Sequence, residues 1–64
     1  MVKLQVNVGG LIVGAVCGKN RIHANSQAMK YFPDCTSVSN YLGHPDLVWI
    51  SENFALFNYS HQWS

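Results

Sequence analysis

Apolar and polar residues alternate at the start of the chain, with Val2, Leu4, Val6 and Val8 separated by Lys3, Gln5 and Asn7. Neighbouring side chains on a strand point to opposite faces, so this alternation predicts a half-buried strand with one apolar face and one wet face. Gly9-Gly10 breaks the pattern, and two glycines between β-branched runs can supply the positive φ angles of a two-residue hairpin turn. Leu11 to Cys17 then carries no polar side chain. It is expected as a central strand covered on two sides, with Val2 to Val8 as the outer strand of the hairpin. Gly14 and Ala15 are small, which lets a helix or another backbone approach closely. Gly18-Lys19-Asn20 has turn chemistry, and Arg21 to Ala24 is expected to return as a short third strand, completing a meander.

Asn25 or Ser26 can cap a short helix beginning at Gln27, which Pro33 stops by disfavouring helical geometry in the residue before it. Asp34 is placed to cap a second helical stretch, Cys35 to Leu42. There Cys35, Val38 and Leu42 share a face at i, i+3 and i+7, although Thr36, Ser37, Ser39 and Asn40 are indifferent helix formers. Gly43 with Pro45 beyond it makes a helix stop. Leu47 to Ile50 and Phe54 to Tyr59 flank Ser51-Glu52-Asn53 and read as a second hairpin, apolar on both faces.

The pattern as a whole predicts an α+β fold. A small antiparallel sheet, made of the N-terminal meander and the C-terminal hairpin, carries one or two short helices between them. The alternative is a small, mostly-β barrel in which the middle segment is loop. The expected core is Leu4, Val6, Val8, Ile12, Val16, Met29, Phe32, Val38, Leu42, Val48, Ile50 and Leu56.

Length changes what this pattern means. At 64 residues the chain is expected as a single small domain over 1–64, burying roughly 60% of the surface its unfolded form exposes. Scaffolds of this size usually gain stability from disulfides, a metal or other chains. Charged residues make up 11% of the sequence, against about 25% in an average soluble domain, while 48% is hydrophobic and the net charge is +1. Such a surface has little self-repulsion to keep copies apart. The cations Lys3, Lys19, Arg21 and Lys30 precede Tyr31, whereas Asp34, Asp46 and Glu52 follow it, a split that could serve head-to-tail contacts. No stretch reaches the roughly 18 apolar residues of a membrane span. Gln5, Asn7 and the glycine pair interrupt the only run resembling a secretory signal, so a cytoplasmic protein is expected.

Candidate chemistry is sparse. Cys17, His23, Cys35, His44 and His61 are borderline-soft metal ligands, but no two stand at the tight spacing from which structural zinc sites are built. No metal or other cofactor is expected. A Cys17–Cys35 bridge would add about 3 kcal/mol in an oxidising compartment, which nothing else in the sequence implies. Asp34-Cys35 with His44 and Asp46 supplies the residue types of a thiol nucleophile, a base and an orienting carboxylate. The simpler reading is a buried thiol behind a helix cap, and no catalytic residue is assigned. Gly14 to Asn20 has three residues between its glycines and Asn after the Lys, where a phosphate-binding loop needs four and Ser or Thr. Asn58-Tyr59-Ser60 matches a glycosylation sequon, a frequent chance match.

These readings lead to a non-enzymatic protein that acts through protein–protein association, as a homo-oligomer or as a subunit docking on a larger partner. A polypeptide of this size would suit a phage, viral or mobile-element accessory protein, an expectation drawn from length alone. Trp49, Phe57, Tyr59 and Trp63 are the candidate interface residues, since buried aromatics dominate contact energetics. The alternative function is a small single-stranded nucleic-acid binder using Lys19, Arg21, Lys30 and Tyr31, with bases stacking on aromatic faces. Four cations and a net charge of +1 leave little for backbone neutralisation, which makes it the second choice.

Overall fold

The computed structural model of the protein describes residues 1–58. Six elements follow in order: β1 (Val2–Val8), β2 (Leu11–Gly18), α1 (Arg21–Tyr31), β3 (Ser37–Asn40), β4 (Leu47–Trp49) and β5 (Phe54–Phe57). The strands form one antiparallel sheet in the order β3-β1-β2-β5-β4. This is the α+β arrangement the pattern predicts, and the sheet stays open, so the barrel alternative is not realised.

The β1–β2 hairpin turns at Gly9 and Gly10, whose φ angles of 56° and 85° are in the region that favours glycine. Strand β1 is not the outer strand that its alternation predicts, because β3 pairs along it from Leu4↔Asn40 to Asn7↔Ser37. The residues after β2 also depart from expectation: Arg21 to Ala24 is the first turn of α1 and not a strand. Asn20 is extended, and its side-chain oxygen accepts from the His23 N–H at 2.8 Å. That cap starts the helix well before Asn25. Cys35 to Leu42 is likewise not helical. Val38 points inward between Ser37 and Ser39, a half-buried strand alternation that its polar residues accommodate more readily than a helix.

Helix α1 lies over β1 and β2. Its buried stripe is Ala24 and Ala28, while Ile22 and Met29 face outward. Small residues are needed because Gly18 brings the backbone of β2 against the first turn of the helix, and Gly14 leaves room for the Phe32 ring that follows it. A methyl on Gly14 would meet the Phe32 ring and the Ala55 carbonyl oxygen, and one on Gly18 would meet the backbone of Ala24. Backbone-close packing on this side leaves Leu4, Val6 and Val16 fully buried, each burial stabilising by roughly 1.5–3 kcal/mol.

The opposite face has no helix, yet Ala15, Ala55 and Leu47 form a second buried cluster there, ringed by Ile12, Tyr41, Trp49 and Phe57. Coiling of the sheet accounts for it. Tyr41 follows β3 and Trp49 ends β4, the two edge strands, but their rings meet edge to face with centroids 5.7 Å apart. A bulge between Val6 and Asn7 increases the local twist that brings the edges round.

Candidate interaction surface

Two surfaces are built by this arrangement. The first is the concave, helix-free face. Lys3 rises from β1 between the two edge aromatics, its Nζ 5.3 Å from the centre of the Trp49 ring and 5.9 Å from that of Tyr41. Beside it Met1, Lys3, Cys17, Trp49, Ser51 and Glu52 line an open cavity of about 480 Å³. Cys17 is almost wholly buried in its wall.

The second lies on the helix side, where α1 stops short. Tyr31, the last helical residue, stacks on Phe54 with centroids 4.5 Å apart, and beyond that contact the β5–β4 end of the sheet is uncovered. Leu56 sits opposite Gly14 on β2 and opposite Val48 on β4, so both are on the helix side. Ile50 continues the row, held by its N–H donating to the Phe54 carbonyl at 3.1 Å. Val48, Ile50 and Leu56 are 47%, 56% and 43% exposed. All three were expected in the core, as were Met29 and Leu42, which are also exposed. The residues are apolar as a core strand requires, but one eleven-residue helix covers only two strands.

The named candidates fall in several places. Trp49 and Phe57 are half-buried on the concave face against Ala15, Leu47 and Ala55, and Tyr59 and Trp63 lie outside the described residues. Lys19 and Arg21 flank the start of α1 and Lys30 its last turn, about 15 Å apart at 1.5 Å per helical residue. Tyr31 has one face on Phe54 and Lys30 Nζ 5.3 Å from its centroid. The four candidate nucleic-acid contacts are therefore not gathered on a sheet face.

Cys35 packs on the helix-side cluster, its Sγ 3.6 Å from Met29 Sδ. His44 lies against Phe57 on the other face and stands 3.9 Å from Asp46, so the sheet separates the thiol from the imidazole. It separates the two thiols in the same way, and both are free. Among the described residues no three of His, Cys, Asp and Glu are grouped to hold a metal ion; His61 lies outside them. Among the same residues no helix is long and apolar enough to cross a membrane. Comparison with protein-family models, curated proteins and solved structures finds no match to this chain.

Proposed function

We propose that the protein acts by association with other protein surfaces and not by catalysis, as a homo-oligomer or as a subunit seated on a larger partner. The observation that carries this reading is the Val48–Ile50–Leu56 strip: three large aliphatic side chains, each about half exposed, adjoin on a face whose other half a helix covers. Contiguous apolar surface next to a sheet edge marks interaction sites. Covering the exposed half of each side chain is worth on the order of 1 kcal/mol. The low charge supports the same reading, since there is little repulsion to overcome. The cytoplasm is the compartment in which free Cys17 and Cys35 stay reduced.

Site-specific photo-crosslinking in cells producing the protein tests this. A photoreactive side chain at Leu56 should give protein adducts that one at the exposed helical Ser26 does not. Equal yields at the two positions overturn the proposal.

A further inference from the structure

We propose that β4 of one copy pairs antiparallel with β4 of a second copy about a two-fold axis at Trp49, so that two five-stranded sheets continue as one. This rests on the association reading above and names its partner and geometry.

The ladder between β4 and β5 determines which backbone groups are already used. Ile50 N–H donates to the Phe54 carbonyl at 3.1 Å and Asn58 N–H to the Asp46 carbonyl at 2.7 Å. In an antiparallel ladder successive residues turn their N–H and C=O to opposite sides, so residues 46, 48 and 50 address β5 while Leu47 and Trp49 face away from the sheet. The Leu47 N–H turns back to the His44 carbonyl at 3.2 Å. The backbone N–H and C=O of Trp49 have no partner among the described residues. One free donor and one free acceptor on the same outward-facing residue are self-complementary under a two-fold axis. Each Trp49 N–H then donates to the other copy's Trp49 carbonyl.

The register follows from the side chains. An axis at Trp49 sets Val48 opposite Ile50 of the second copy, as a pair that is not hydrogen-bonded and has Cα atoms about 4.5 Å apart. The two exposed strips of Val48, Ile50 and Leu56 then merge into one apolar band. An axis one residue earlier, at Val48, would set Ile50 against the Asp46 carboxylate and would direct a Trp49 carbonyl to the Leu47 N–H that His44 already occupies. The partner is a second copy of β4 and not β3, because β3 is polar at Ser37, Ser39 and Asn40, with Arg21 Nη1 at 3.4 Å from Asn40 Oδ1. Strand β4 carries no charge, proline or bulge of the kind that blunts exposed edges. A three-residue strand gives a small interface, so dissociation constants of about 10–1,000 μM are expected.

Sedimentation equilibrium of the full chain up to about 1 mM, compared with a chemically synthesised chain N-methylated at Trp49, tests the pairing at the range set by its interface size. The blocked N–H has no partner among the described residues of one copy, so the far-UV spectrum should be unchanged while dimerisation weakens at least about tenfold, through the loss of both Trp49 hydrogen bonds across the axis. Equal dimerisation of both chains overturns the β4 pairing but leaves the association reading standing. A parent chain that stays at 7.2 kDa throughout also overturns the pairing, and crosslinking at Leu56 then decides the association reading separately. Register is read by mild oxidation with diamide, beside the parent chain as control for Cys17 and Cys35. The Val48→Cys/Ile50→Cys chain should form disulfide-linked dimers and Val48→Cys alone should not; the reverse result overturns the axis at Trp49.

Discussion

Replacing Gly18 with alanine inserts a methyl group where the first turn of α1 already runs. A Cβ at this position would overlap the Ala24 backbone nitrogen and lie 2.7 Å from Ala24 Cα and 2.8 Å from the His23 carbonyl carbon. Carbon atoms in contact sit at about 3.5–4.0 Å, so about 1 Å of room has to be found. None of the three atoms is the end of a flexible side chain. The turn that must move is held by the Asn20 cap and by the Ala24 N–H donating to the Asn20 carbonyl at 2.9 Å, and Ala24 is fully buried. Overpacking usually costs about 1–3 kcal/mol, and rigid backbone on the receiving side puts this case at the upper end. Restricting the unfolded chain returns about 0.4–1 kcal/mol. A net loss of about 2 kcal/mol remains, which lowers Tm by about 8–16 °C in a domain of this size. Thermal melts followed by far-UV circular dichroism, with urea titration alongside, measure it. A Gly18→Ala chain melting within about 2 °C of the parent would mean that α1 is not seated on β2 at this point, and the account of the alanine stripe would fall with it.

Asn20→Ala removes the side-chain acceptor for the His23 N–H and should cost about 1 kcal/mol by urea titration, whereas Asn20→Asp, which still offers an acceptor, should keep most of the parent stability; equal stability of parent and alanine chains would deny the cap its role. The two thiols should react with a chromogenic disulfide reagent at separate rates. Half-buried Cys35 should react promptly and Cys17, 4% exposed, only as fast as the sheet opens; a single rapid phase for both would contradict the burial of Cys17.

Much of the fold was legible because period-2 alternation is a strong signal. Val2 to Val8 and the glycine pair predict the first hairpin, and the aromatic-rich segments predict the second. The helix was harder to place because its large apolar residues mislead. Ile22 and Met29 face outward, while the buried contacts are made by Ala24 and Ala28, and Gly18 lets the first turn of the helix come down onto the backbone of β2. The usable signal was the match of small residues on two neighbouring segments, Gly18 with Ala24, which hydrophobic periodicity does not weigh. For β3, a single inward Val38 among Ser and Asn is too short an alternation to compete with a helical i, i+3, i+7 coincidence. At the candidate surface, the two-sided apolar character of the second hairpin was visible in sequence. Which side is covered was not, because it depends on the length and position of a helix that packs on the other strands.

The two edge strands of the sheet differ, β4 being apolar and β3 mostly polar. A sheet with two receptive edges can add copies without end, as fibrils do, whereas one with a single receptive edge is consumed at the first pairing. Under the β4 pairing proposed above, the seryl and asparaginyl edge of β3, where Arg21 Nη1 donates to Asn40 Oδ1 at 3.4 Å, would end assembly at two copies. Making that strand apolar, for example by Ser37→Val with Ser39→Val, would trade a closed pair for open-ended growth.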